Sequence, residues 1–132
     1  MASEDLQRLR EGYEAFGRHD LNAIRGLLDP EIEWHPGDQA PEAGWHRGRE
    51  GFLAHMTSWL DAFNEMDLEP EELVQDGERI MVVLAQRGRG TASGVELRTE
   101  PVHVWTIRGG LAVRWESHRS KSAALAGYAR TD

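Results

Sequence analysis

The apolar positions of this chain change period along its length, and each change marks an element. Leu6, Leu9, Tyr13 and Phe16 recur at 3-4-3 spacing, one face of an amphipathic helix. Ser3, with Glu4 and Asp5 behind it, predicts the start of that helix. Gly17 to Asp20 breaks it, and Asp20 is placed to cap a shorter helix carrying Leu21, Ile24, Leu27 and Leu28, ended by Asp29-Pro30. Glu31 to His35 alternates as a strand and stops at Pro36-Gly37. Residues 36–48 (PGDQAPEAGWHRG) read as a Pro/Gly loop, a flap. Arg49 to Phe63 then gathers Phe52, Leu53, Met56, Trp59, Leu60 and Phe63 on one helical face.

From residue 67 onward the alternation has the period of strands. Asp67–Gln75 and Arg79–Arg87 meet at Asp76-Gly77, a tight-turn dipeptide. Val95–Ile107 is interrupted at Pro101, the mark of an edge or a bulge. Leu111–His118 is the last strand, and Lys121–Ala129 predicts a short closing helix. The order is helix, helix, strand, helix and four antiparallel strands. It predicts a single α+β domain over residues 1–132, with the helices packed on one curved, mostly antiparallel sheet.

The last hairpin, EPVHVWTIRGGLAVRWESH (Glu100–His118), carries chemistry-bearing residues in its strands. A two-residue Gly109-Gly110 loop would set His103 opposite Glu116. A three-residue loop, Arg108-Gly109-Gly110 with Gly110 left-handed, would set His103 opposite Trp115. The second is preferred, because a type I turn followed by a left-handed glycine is a common closure. It gathers His103, Trp105, Val113, Trp115 and Ser117 on one concave face and sends Arg114, Glu116 and His118 to the other. The outer face then includes Val102, Val104 and Thr106, an apolar surface that predicts a homodimer through the sheet.

Composition narrows the function. A net charge of −8 argues against a duplex nucleic-acid surface or a polybasic membrane anchor. There is no cysteine, hence no disulfide, thiol nucleophile or thiolate metal site. The N-terminus lacks an apolar signal core and no stretch approaches a membrane span, which together predict a cytoplasmic protein.

Three phrases carry a resemblance: YEAFGRHDLNAIRGLLDPEIEWHP (Tyr13–Pro36), HRGREGF (His46–Phe52) and EPVHVWTIRGGLAV (Glu100–Val113). In this order and spacing the chain resembles the SnoaL-like branch of the nuclear transport factor two-like superfamily. That superfamily includes ketosteroid isomerases, polyketide cyclases, limonene epoxide hydrolases and non-catalytic binders. The resemblance implies a cone-shaped α+β barrel, open at one end and usually dimeric through the outer face of its sheet. It also implies positions. The general-base aspartate of the isomerases matches His35, and their protonated aspartic acid, an oxyanion donor, matches His103. Their tyrosine donor falls at Gly12 or Tyr13, and the catalytic acid of the cyclases matches Ser117. Both isomerase acids are thus histidines here and the cyclase acid is a serine, so the resemblance assigns no reaction.

Two imidazoles in an aromatic cavity are suited to acid–base work near neutrality, and a neutral one can polarise a carbonyl. His35 and His103 are therefore the candidate catalytic pair. Tyr13, Trp34, Trp45, Trp105, Trp115 and Ser117 are the candidate pocket for a small apolar or aromatic molecule. His46, Arg47 and Arg49 read as solvated charges of the flap and helix start. The six histidines are scattered without HExxH or HxH, so no metal is expected; His35, Asp38, Glu42 and His46 are the weakest candidate set. No Walker loop, dinucleotide fingerprint or GxSxG appears, and no cofactor is expected. Two readings follow. One is a cofactor-free isomerase, cyclase or hydrolase acting on an apolar carbonyl-bearing or cyclic substrate. The other is a non-catalytic ligand-binding or dimerisation module.

Overall fold

The structure is a computed structural model that describes residues 2–37 and 43–127. Helix α1 (Ala2–Gly17) is followed by α2 (Leu21–Arg25), β1 (Leu28–His35), β2 (His46–Arg47) and α3 (Arg49–Ala62). Then come β3 (Phe63–Asp76), β4 (Arg79–Gly90), β5 (Glu96–Thr99), β6 (Val102–Arg108), β7 (Leu111–His118) and α4 (Lys121–Ala126). The strands make a seven-stranded sheet in the order β2-β1-β7-β6-β4-β3, with β5 on β4. Only β1 and β7 run parallel; the sheet is otherwise antiparallel and does not close. Helices α1 and α3 cover its concave face, so the α+β architecture stands as the pattern implies.

Local differences have local causes. Helix α1 begins at Ala2, which places Ser3 inside its first turn rather than at its cap. Asp20 does cap α2, accepting from the Ala23 amide at 3.2 Å. That helix is shorter than its apolar spacing suggests, because Leu28 already belongs to β1. Pro30 is tolerated inside β1 because the pairing with β7 shifts between Leu28 and Glu33, where no ladder bond is required of it. Helix α3 stops at Ala62, and Phe63 turns extended to open β3. Pro101 divides the third long strand into β5 and β6, both still paired with β4. The Asp38–Glu42 part of the flap and the Tyr128–Ala129 end of the closing helix lie outside the described residues.

The hairpin corrects one expectation. Arg108 pairs with Leu111, so the loop is the two residues Gly109 and Gly110, with φ +60° and +81°. Two positive φ values make a type I′ turn, which matches the twist of the flanking strands and favours glycine at both places. The register then shifts, Ile107 facing Ala112 and Thr106 facing Arg114, which leaves Val113 as the extra residue of a β-bulge. The bulge restores the expected faces. Trp105 pairs with Trp115 and His103 with Ser117, all inward. Val113, expected inside, instead lines the outer groove beside Arg114.

The core sits between the helices and the concave face. Ile80, Val82 and Leu84 on β4 are fully buried there, with Phe52 of α3 and Leu9, Tyr13 and Phe16 of α1. A second, smaller cluster forms on the convex face, where Ala124 of α4 covers Val102 and Val104. Ser120 caps α4 by accepting from the Ala123 amide at 3.2 Å. None of the described helices is long and apolar enough to cross a membrane.

Candidate functional site

A cavity of about 120 Å³ lies between α1, α3 and the concave face. Its wall is mainly apolar: Leu9, Phe16, Ile24, Leu27 and Leu28 on one side, Phe52, Met56 and Trp59 on another, and Trp105, Ile107 and Trp115 from the sheet. The polar groups are few. They are Tyr13, His103, Ser117, His55 and Gln86, with Arg8 the one formally charged lining residue described.

The central feature is a buried chain of hydrogen bonds. Trp105 Nε1 donates to Tyr13 Oη at 2.9 Å, and Tyr13 Oη meets His103 Nδ1 at 2.7 Å. An indole N–H can only donate. Among the described residues Tyr13 makes no other hydrogen bond, so its hydroxyl hydrogen goes to Nδ1, and the neutral ring carries its own hydrogen on Nε2. Burial, reinforced by repulsion from His118 and His55, pushes the His103 imidazole down to about 3. Burial also raises the Tyr13 hydroxyl, against the opposing effect of the Trp105 bond. The chain is therefore neutral throughout at physiological pH. It presents an N–H donor from a ring held at Nδ1, edge-on to Trp115 at 5.0 Å between ring centroids.

Strand parity decides where the other expected residues go. Tyr13, His103, Trp105, Trp115 and Ser117 all line the cavity. His35 does not. It stands in register with Glu116, on the face opposite Trp34 and Trp115. Its Nδ1 accepts the Gly37 amide at 3.1 Å, which fixes the turn after Pro36, and its ring meets the edge of Trp45. Trp45 is likewise outside the cavity, with the Arg114 guanidinium 4.3 Å above its ring. Trp34 faces inward but lies behind the wall, stacked on His46 and Phe52, with Nε1 donating to the Gly48 carbonyl. The pairing of His35 with His103 on one ligand is thereby overturned: a sheet separates them.

His55 is a cavity residue that the sequence pattern alone does not single out. It is buried in α3, lines the cavity, and lies between Trp34 and Trp115 at centroid distances of 5.5 and 6.1 Å. Its face is legible all the same, since His55 falls three residues after Phe52 and four before Trp59, on the apolar face of its helix. Two imidazoles do border the cavity, but the second comes from α3 rather than β1.

The convex face holds a contrasting set. Glu116 is 2% exposed, with Oε1 3.2 Å from His118 Nε2 and Oε2 3.4 Å from Arg114 and 3.9 Å from Arg79. Burial pulls its carboxyl up, and the His118 bond with the Arg114 and Arg79 charges outweighs this, holding it below the usual carboxylate range. No group of three or more metal-ligating side chains occurs among the described residues, and Asp38 and Glu42 of the flap set lie outside them.

Solved structures with this architecture are numerous. One is an NTF2-like protein of unknown function from Burkholderia pseudomallei, 29% identical, with TM-score 0.76 over 93% of this chain and 95% of that one. An NTF2-like protein from Burkholderia xenovorans is 25% identical, with TM-score 0.76 over 94% and 95%. A putative SnoaL-like polyketide cyclase from Jannaschia shares the fold at 12% identity, with TM-score 0.79 over 98% and 94%. No curated protein matches the sequence. The profile of the SnoaL-like domain matches residues 9–115, most of the chain, and with the helices, sheet and cavity described above it shows that this protein belongs to the SnoaL-like family of NTF2-like folds.

Proposed function

We propose that the protein binds a small, mainly apolar molecule bearing a hydrogen-bond-accepting oxygen, which the His103 N–H recognises inside the aromatic cavity. The observation that carries this reading is the Trp105–Tyr13–His103 chain. It fixes one donor at the wall of a mainly apolar space, and convergent polar groups in such a cavity are what small-molecule sites offer. The enclosed volume holds a compact group, since a dry cavity of ~150 Å³ takes up benzene, and the mouth beside the exposed Arg8 lets a longer ligand run on toward solvent. The paired probes 1-indanone and indane differ by one carbonyl. Titrated against tryptophan fluorescence, 1-indanone should bind more tightly, and His103→Phe should erase the preference. Equal affinity of the two for the native protein would refute the reading.

A second reading is favoured by His55. With His103 at about 3 on the acid scale, that ring is a poor base and a suitable neutral donor to a developing oxyanion. A proton acceptor must come from elsewhere, and His55 borders the same Trp115 ring. Cofactor-free enolisation would then move a proton from a carbon next to the carbonyl to His55 and return it to the carbon skeleton. The same probe tests this. In D₂O the protein should accelerate deuterium exchange at C2 of 1-indanone, and His55→Gln should abolish exchange while leaving binding. Binding without accelerated exchange would leave the non-catalytic reading.

Assembly as a homodimer through the outer sheet face remains part of the proposal, on altered grounds. Val102 and Val104 are covered by α4, so the most exposed apolar side chains of the outer groove are Val74 and Leu125, at 43% and 80%, with Met81 and Val113 half-buried beside them. Light scattering at micromolar concentration should give twice the chain mass; a monomer would contradict it.

A further inference from the structure

Resting on the ligand-binding reading, we propose that the end of the cavity at Arg8 is a subsite for an anionic head group, which makes the ligand an elongated amphiphile: a carboxylate at Arg8, an apolar body, and an oxygen at His103. Three features support it. Arg8 is the one formally charged side chain among the described residues of a mainly apolar wall. Its guanidinium is seated rather than loose. It lies against the β6–β7 turn so closely that a Cβ on Gly110 would be 2.6 Å from Arg8 Nη1. A glycine with φ +81° is what allows this approach. Its donors are also largely unspent. Among the described residues Arg8 makes no hydrogen bond, and its ion pair is a 3.7 Å contact with Asp5 one turn earlier on α1, the side chains 45% and 24% exposed. Such a pair is weak, so a ligand carboxylate can compete for the outward-facing donors in bidentate geometry.

The length of the ligand follows from the strand. His103 and Ile107 both line the cavity and stand four residues apart in β6, ~13 Å at the usual rise. Gly110 and Arg8 lie beyond Ile107. Leu9, Leu27 and Ile107 flank the path nearest Arg8, and Trp105 and Trp115 the path nearest His103. Arg8 is exposed, its side chain at 45%, which puts the charged subsite at the solvent end and the oxygen-reading donor at the buried end. That polarity suits an amphiphile, whose head keeps some water while its body is buried.

The test uses decanoate and decan-1-ol, which share a chain and differ in charge, titrated by calorimetry against the full-length protein. Decanoate should bind the native protein more tightly than decanol. Arg8→Gln should weaken decanoate about tenfold, the value of one charged hydrogen bond at a part-exposed site, while decanol changes less than about twofold. Arg8→Lys should restore part of the loss, and added salt should weaken decanoate alone. Equal loss for both compounds in Arg8→Gln, or no loss for either, would overturn the subsite. Decanol bound as tightly as decanoate by the native protein would do so too. If neither chain binds while 1-indanone does, the elongated-ligand proposal fails and the compact-ligand reading survives; if none of the three binds, both fail.

Discussion

Two buried histidines, each within two residues of a proline, have opposite surroundings. His35 and His103 are 5% and 8% exposed. His35 pairs in register with Glu116, accepts a backbone amide and sits among Trp45, Arg114 and the charges of the convex face. His103 pairs with Ser117 and belongs to an uncharged hydrogen-bonded chain facing the cavity. Burial does not separate the two, and neither does a proline close in sequence. Strand parity does, and with it the local dielectric: ions gather where carboxylate and guanidinium groups meet under α4, and neutral donors gather where the wall is apolar.

The largest effect expected from breaking this contrast is on the inner side. Tyr13→Phe removes one oxygen and orphans two buried partners, Trp105 Nε1 and His103 Nδ1. At ~1–3 kcal/mol for each of the two unsatisfied groups, the loss should be about 2–6 kcal/mol by urea denaturation. A loss below about 1 kcal/mol would show that the chain contributes little to the fold. On the outer side, Glu116→Gln keeps the shape and removes the charge that His118, Arg114 and Arg79 share. The arginines are part-exposed, so the loss should be smaller, ~1–3 kcal/mol, and should shrink in salt. Binding of 1-indanone should be unaffected by Glu116→Gln; a large change would mean that the two faces are coupled.

Acidity sharpens the comparison further. His103 takes up its proton far lower in the folded chain, at about 3, than the ordinary 6.5. Below pH 6.5 the unfolded chain therefore binds a proton that the folded chain does not, and stability falls as pH falls. The slope should approach ~1.4 kcal/mol per pH unit. Glu116, with its carboxyl depressed, adds its own loss only below its ordinary value of 4.5. Between pH 6.5 and 4.5 His103 should thus contribute to the slope, which should lessen in His103→Asn. An unchanged slope in that variant would assign the acid sensitivity elsewhere. The smallest effect expected is on ligand affinity in His35→Ala. On the far side of the sheet, it should leave 1-indanone binding within about twofold, and a tenfold loss would return His35 to the site.

The sequence made the faces of α1 and α3 and most strands legible because periodicity reports burial directly. Leu9, Tyr13 and Phe16 line one side of the core as their spacing requires. The site was legible through β6 and β7, where His103, Trp105, Trp115 and Ser117 share a face. They do so by a different route from the one expected: a two-residue turn with a bulge at Val113, in place of a three-residue loop. Both routes shift the register by one residue, so the hydrophobic pattern could not distinguish them. His35 misled because alternation shows that neighbouring residues face apart without showing which face becomes concave. Trp34 takes the inner position and excludes His35 from it. His55 is not singled out by the pattern, because a polar residue on an apolar helical face does not strengthen the periodic signal.

The account rests on His103 being a neutral donor held by Tyr13, and nitrogen-15 NMR of the imidazole rings tests that most directly. Titrated from pH 8 to pH 4.5, His103 should keep the shifts of the neutral ring with hydrogen on Nε2, and Tyr13→Phe should alter them. Protonation of His103 near the ordinary ~6.5, or a hydrogen resident on Nδ1, would contradict the account.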